Sequence, residues 1–474
     1  MAQVQPLTSP PPPPAPPRSP RLALLLEAPP GRVLWRLSTP NVAAVVLMTA
    51  VTVADAWFVG QLGTTALASL ALVFPLQTLM QMMAGGAMGG GITSAVARAL
   101  GAGDTDRAEA VAWHAVVIAL VMAGLYTLVL GVFARPVFAL FGASGPVLDG
   151  AVAYAHIAFG GAIVMWAMQT MFAILRGSGD TVTPARAVLV ASPVQIALSG
   201  ALTLGWGPFP NLGVSGPAVA MLIALGLSAL YLGWHLVRAG DGGGHRAVRL
   251  APRRLAWAPA HDILRVGALG VVNSLTIALT VVVVTRLVAE FGTAALAGYG
   301  LGSRLELMMV PLSFGIGGAL TGAVGANVGA RLYARARRLA WTGAAASFVL
   351  IGAIGLAAAL WPTLWLGQFT ADAAAFAMGG LYLGIAGPLY GLFGGGQTLY
   401  FACQGTGRML LPVLVGLVRF AVAAGGGFAV IALDGSVAAL FACVAAGLAT
   451  VGIGLAACLF GPAWNPRQSG LGAG

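Results

Sequence analysis

Apolar positions in this chain are gathered into long runs, and short polar breaks rich in glycine, proline and arginine separate them. From residue 41 onward, twelve runs are each long enough for the ~20 residues that cross a bilayer. They cover 41–62, 67–93, 110–134, 150–174, 184–205, 212–237, 263–288, 295–325, 338–361, 374–402, 411–432 and 437–461. The pattern predicts an all-α integral membrane protein with twelve transmembrane helices.

The polar breaks orient those crossings. With the N-terminus in the cytoplasm, loops on that side carry Arg98, Arg107, Arg176, Arg186, Arg331 and Arg408 among others, while the opposite side keeps only Arg135 and Arg286. Cytoplasmic loops carry the excess of arginine in membrane proteins, so both termini are expected inside. The halves also repeat. Leu175-Arg-Gly-Ser-Gly-Asp180 corresponds to Cys403-Gln-Gly-Thr-Gly-Arg408, and Pro184 to Pro412, each 228 residues on. Gly63-Thr-Thr-Ala-Leu-Ala68 corresponds to Gly292-Thr-Ala-Ala-Leu-Ala297 at an offset of 229. Six crossings return the chain in its starting orientation, so the two six-helix lobes form a parallel internal repeat about an axis along the membrane normal. Two like bundles flanking a cleft is a transporter's architecture.

The expected organisation is a disordered, proline-rich cytoplasmic tail over 1–36, a first lobe over 37–237, a flexible cytoplasmic linker over 238–262, a second lobe over 263–462 and a tail over 463–474. The tail has proline where a secretory signal needs an apolar core.

Composition narrows the class. Of 474 residues 59% are hydrophobic and only 8% charged, against roughly a quarter charged in soluble domains. The net charge of +11 comes entirely from arginine, spread through short loops rather than along one face, which argues against a nucleic-acid partner. Cys403, Cys443 and Cys458 lie in apolar runs without paired spacing, so neither a metal site nor a disulfide framework is expected.

Within the runs two acids stand out, Asp55 and Glu306. A carboxylate near a helix centre costs about 3 kcal/mol on insertion scales, so an acid retained there is a candidate site for protons or cations. Asp55 is also open to a structural reading, bonded to amides or hydroxyls in the bundle. Arg304 and Glu306 are two apart and do not share a helix face. An ion pair to another helix is one reading of Glu306, and attraction of cationic substrates the other. His114 and His156 are single histidines on apolar helices and read as packing residues. Trp57, Met80, Met82, Met83, Met165, Trp166 and Met168 offer a soft lining for a pocket or ordinary packing. The glycines at 85–86 and 89–91 permit close contact or bending, and Gly394-Gly-Gly396 is the best hinge candidate. None of these runs is a phosphate loop, because no Walker lysine follows.

Several stretches resemble the multidrug and toxic compound extrusion (MATE) family of secondary transporters. They are Pro40 with Val53-Ala-Asp55-Ala-Trp-Phe-Val-Gly60-Gln-Leu-Gly63, Arg98-Ala-Leu-Gly-Ala-Gly103-Asp-Thr-Asp-Arg107, Leu175-Arg-Gly-Ser-Gly-Asp180-Thr, Asn211-Leu-Gly-Val-Ser-Gly216, and Arg304-Leu-Glu306 through Val324-Gly-Ala-Asn327-Val-Gly-Ala330. The resemblance covers about residues 36 to 460. It implies export of organic, often cationic, compounds driven by inward flow of protons or sodium ions, with no cofactor and no enzymatic activity.

Asp55 falls on the family's first-helix acid, which the resemblance links to cation coupling. In the fifth helix this chain departs from the pattern, with Gln195 and Ser199 where several relatives carry Asn and Asp. The acids that some relatives place in helices seven and ten are absent. Helix seven has Asn273, Ser274, Thr276 and Thr280, and helix ten has Tyr382, Tyr390, Gln397 and Tyr400. Asp55, Gln195 and Ser199 are therefore the expected coupling residues. Gln169, Met165, Asn273, Glu306, Tyr390 and Gln397 are expected to line the substrate cavity. Sodium prefers several oxygen ligands and only one acid is at hand, which favours protons. The expected partners are small organic substrates and membrane lipid, in a monomer of the bacterial inner membrane. Two rivals differ in what they need. A lipid-linked or polysaccharide flippase calls for an arginine-rich cavity, and a membrane transferase for clustered acids or histidines at the membrane face.

Overall fold

The computed structural model describes residues 20–238, 248–461 and 464. Twelve helical spans follow one another: α1 Pro30–Gly60, α2 Thr64–Gly101, α3 Thr105–Val132, α4 as the pair Gly145–Gly160 and Ala162–Gly177, α5 Val182–Leu204 and α6 Gly213–Arg238. The second six are α7 Trp257–Ala289, α8 Thr293–Gly329, α9 Tyr333–Leu360, α10 Ala373–Thr406, α11 Leu410–Ala432 and α12 Val437–Cys458. The two segments of α4 meet at a bend of 46° at Gly161. No strand occurs among the described residues. The expected all-α, twelve-helix, two-lobe class is the observed one, with α1–α6 in the first lobe and α7–α12 in the second.

The main departure is at the N-terminus. Residues 20–36, expected in a disordered tail, are helical, as the short helix Pro20–Glu27 and the first turns of α1. Each helix starts on a proline, where the missing N–H costs nothing and φ is already helical. The Leu22-Ala-Leu-Leu-Leu26 run supplies apolar surface, and Leu25 and Leu26 bury it among residues of the second lobe. The rest of that tail, the centre of the linker at 239–247 and most of the C-terminal tail lie outside the described residues.

The described end of the linker is held in place. Arg253 pairs with Asp106 at 3.3 Å and with Glu109, and Arg107 pairs with Asp262 at 2.5 Å. The ring of His114 stands between these elements. Its Nε2 accepts from the Ala256 N–H at 2.8 Å, which leaves Nδ1–H to donate to the Ala110 carbonyl at 2.7 Å. His114 is a packing residue with both nitrogens used, and α7 begins beside it, six residues before its expected start.

The lobes meet over the half of the membrane that ends in the arginine-rich loops, where helices cross on glycine. A Cβ added at Gly101 would overlap the Ala326 carbonyl oxygen, and one at Gly329 the Arg98 carbonyl oxygen. At Gly325 it would lie 2.9 Å from the Ala97 Cβ, and at Gly91 2.6 Å from the Ile263 carbonyl oxygen. This is small-residue packing of the kind that lets membrane helices approach backbone to backbone. Arg98 Nη1 reaches across to the Gly405 carbonyl at 3.3 Å, and Asn41 Nδ2 to the Gly315 carbonyl at 3.0 Å. Gly329→Ala is expected to destabilise this closed seam by about 2 kcal/mol, because a backbone carbonyl cannot move aside as a side chain can. A lowered melting temperature of the purified protein is the readout, and an unchanged one would refute the tight crossing.

Irregular backbone marks several helices, among them α3 at Thr127–Val132 and α11 at Ala421–Gly425. In α2 the glycine-rich segment Met82–Met88 widens into a π-helical turn, and such turns cluster at functional sites. In α10 the expected hinge at Gly394–Gly396 is regular helix. A Cβ at Gly394 would lie 2.6 Å from Ile351 Cδ1, and one at Gly396 2.8 Å from the Val451 backbone. Those glycines serve contact, and the break falls earlier, in the 3₁₀ turn Gly387–Leu389 around Pro388.

Candidate functional site

A cavity opens inside the first lobe between α1, α2, α4, α5 and α6. One carboxylate, Asp55 of α1, lines it together with four amides, Gln77, Gln81, Gln169 and Gln195. Met48, Met165, Met168 and Met221 share the apolar wall with Val51, Val188, Ala191 and Leu225, and Ser192 and Ser228 add hydroxyls.

Asp55 is half-buried, and its Oδ1 accepts a hydrogen bond of 2.5 Å from the Ser199 hydroxyl of α5. Ser199 is fully buried. It stands past Pro193, whose missing N–H loosens the middle of α5. On α2, Gln77 Oε1 accepts from the Tyr154 hydroxyl at 3.2 Å, and its Nε2 lies 2.9 Å from Met221 Sδ. The π-helical turn of α2 makes room for Gln169, whose amide nitrogen occupies the space a side chain at Gly85 would take. The same turn presents the Gly86 carbonyl, which accepts from Gln404 Nε2 of the second lobe at 3.1 Å.

The second lobe holds a much narrower cleft, lined by Asn273, Thr276, Thr280, Gln397, Tyr400 and Arg419 among others. Beside it lies a buried charge pair. Glu306 Oε2 accepts from the Tyr382 hydroxyl at 2.7 Å, and its Oε1 is 3.5 Å from Arg419 Nη2. Both charged side chains are about nine-tenths covered, at 11% and 9% exposure. Arg419 also lies over the Phe393 ring, 5.4 Å from its centroid.

The candidate residues thus divide between the lobes. Asp55, Gln195 and Ser199 come together, and Gln169 and Met165 share their cavity. Asn273 and Gln397 line the cavity of the other lobe. Glu306 and Tyr390 line neither. Glu306 is engaged by Tyr382 and Arg419, and Tyr390 is buried with its hydroxyl donating to the Gly302 carbonyl at 3.4 Å. Of the soft residues, Met165 and Met168 reach the first cavity, Met80 and Trp166 are packed in the core, and Trp57 is 62% exposed on the outer surface.

Three features escaped the sequence reading. Gln77 and Gln81 face the cavity from a helix with no acid to draw attention to it. Arg419 pairs with Glu306 although it stands within an apolar run. Third, Glu306 stands 229 residues after Gln77 and Tyr382 stands 228 after Tyr154, the offsets of the repeat. Each lobe carries a hydrogen bond from tyrosine to a side-chain oxygen at matching positions, an amide carbonyl in the first and a carboxylate in the second. Aligning the halves residue by residue would have found it. Among the described residues no three of His, Cys, Asp and Glu group as a metal site.

Comparison with known proteins accords with this architecture. The family model MatE matches residues 40–199 and 271–427. A probable multidrug resistance protein NorM from Deinococcus radiodurans is 30% identical over 82% of this chain and 85% of its own length. A FAD transporter from Shewanella oneidensis is 29% identical over 66% of this chain and 69% of its own. Among solved structures, a MOP superfamily transporter from Pyrococcus furiosus superposes with a TM-score of 0.86 at 22% identity, over 96% of this chain and 99% of that one.

Proposed function

The chain belongs to the MatE family of multidrug transporters, and from that premise we propose that it exports organic, often cationic, compounds by proton-coupled antiport. The observation that carries this reading is Asp55, the single carboxylate of the first-lobe cavity, held by Ser199 and ringed by amides. Burying a carboxylate's charge costs free energy that a proton removes. Proton loading from outside and release inside would then bias the lobes between two arrangements. A cation cage needs several oxygen ligands at fixed distances, whereas a proton needs one titratable group, and the cavity offers one acid among amides. Methionine and glutamine walls suit substrates of varied shape. At ~100 mV one charge supplies about 2.3 kcal/mol, enough for roughly a fifty-fold gradient per proton.

In this reading the protein works as a monomer in the cytoplasmic membrane with both termini inside. The glycine seam then closes the cytoplasmic side, and the described state faces outward. Fluorescent-dye efflux from a host lacking its own pumps tests the coupling. A protonophore should stop efflux, and replacing sodium by choline should leave it intact. The reverse pattern would make sodium the coupling ion and overturn the proton reading.

Export of a flavin dinucleotide is a second reading. It rests on the Shewanella oneidensis relative and on Arg419, which lines the second cavity beside Asn273 and Gln397 and could meet a phosphate. Flavin accumulation in the medium of an expressing strain, above that of a strain without the exporter, would support it, and none would overturn it.

A further inference from the structure

The short helix Pro20–Glu27 takes no part in either cavity, yet it is tied to both lobes. At its start, Arg21 Nη1 lies 3.0 Å from Asp180 Oδ2, in the first-lobe corner that follows α4. Asp180 is a fixed acceptor. Its side chain is 1% exposed, and Thr183 donates to it from its backbone N–H at 3.0 Å and its hydroxyl at 2.7 Å. His235, at the end of α6, approaches the same carboxylate oxygen at 3.8 Å.

Further along, the helix is held by the second lobe. The Leu25 carbonyl accepts from Asn327 Nδ2 of α8 at 3.0 Å and from Arg335 Nη2 of α9 at 3.3 Å, and Arg335 also donates to the Ala28 carbonyl. Leu25 and Leu26, 2% and 4% exposed, lie in the hydrophobic core that α8 and α9 contribute to. One short helix therefore spans the seam that the glycine crossings close.

We infer that the helix Pro20–Glu27 is a strap across the two lobes, which holds the arginine-rich face closed and must release one end before that face opens. The two ends differ in strength. The second-lobe end combines buried leucine surface with bonds from Asn327 and Arg335, while the first-lobe end joins the Arg21 ion pair, whose arginine is 41% exposed, to the edge of Leu25 against Gly179. Partly exposed ion pairs are individually weak. The strap therefore lets go at Arg21 and travels with the second lobe. This rests on the lobes separating at that face, as the exporter reading requires.

Spin labels on Thr105 and Ala334, both exposed at this face on opposite lobes, report the separation by pulsed electron-spin distance measurement, with the three native cysteines replaced. Arg21→Ala should raise the fraction with separated lobes roughly fivefold, and Arg21→Lys should restore most of the closed fraction. Leu26→Ser, which undocks the second-lobe end and leaves Leu25 against Gly179, should raise it as well. Because a strap acts in series, adding Arg21→Ala to the undocked variant should change nothing more. Additive effects, or a distance distribution unmoved by Arg21→Ala while wild type does populate the open state, would overturn the strap. If wild type never separates under any proton or substrate condition, the exporter reading falls and the strap falls with it.

Discussion

Asp55→Asn is expected to abolish gradient-driven efflux, to the level of cells without the exporter, while the protein remains folded in the membrane. Asparagine has nearly the shape of aspartate, and its carbonyl oxygen can still accept the Ser199 hydroxyl, now 2.5 Å from Asp55 Oδ1. What is lost is the ability to take up and release a proton. Ser199→Ala makes the complementary case. It removes one hydrogen bond, worth about 1 kcal/mol, and leaves the acid, so transport should weaken several-fold and persist. Dye efflux with matched protein levels separates these outcomes. If Asp55→Asn exports as well as wild type, Asp55 is a structural residue and coupling lies elsewhere.

Arg419→Ala is expected to lower stability by about 3–5 kcal/mol, the usual cost of stripping one partner from a buried ion pair. Glu306 would keep only the Tyr382 hydroxyl, since the guanidinium 3.5 Å away is the other group bonded to it. Replacing both, as Glu306→Gln with Arg419→Met, should recover most of the loss. A glutamine carbonyl can accept from Tyr382, and methionine fills the space over Phe393 without a charge to satisfy. Thermal melting of purified single and double variants is the measurement. An Arg419→Ala protein as stable as wild type would mean that the pair contributes little.

Much of the fold was legible because bilayer thickness sets run length and the repeat offset sets lobe order. The site was legible in one lobe only. Asp55 stood out as an acid in apolar surroundings, whereas Ser199 and Gln195 were reached through family resemblance. Arg419 was harder, since apolar runs on either side hide a charge whose partner lies 113 residues away on another helix. Periodicity shows which side of a helix is polar and says nothing about which of two clefts that side faces. Asn273 and Gln397 were for that reason grouped with Gln169 and Met165, though the structure puts them in different lobes. The N-terminal helix was hidden by its neighbours. Proline dominates the preceding residues, and eight residues with only two leucines buried are too few to register as a segment.

The glycine seam has an electrical consequence. An exporter that spends a proton gradient must not let protons pass unescorted, and a leak needs only a single file of waters. Where Gly101 meets the Ala326 carbonyl and Gly329 the Arg98 carbonyl, there is no room even for a methyl group. The lobes press together there as backbone on backbone, and the Arg98 side chain bridges the same crossing to the Gly405 carbonyl. Such a contact is either fully shut or fully parted. In the proton-coupled reading the seam would act as an insulator with two settings, keeping the membrane tight between one cargo and the next.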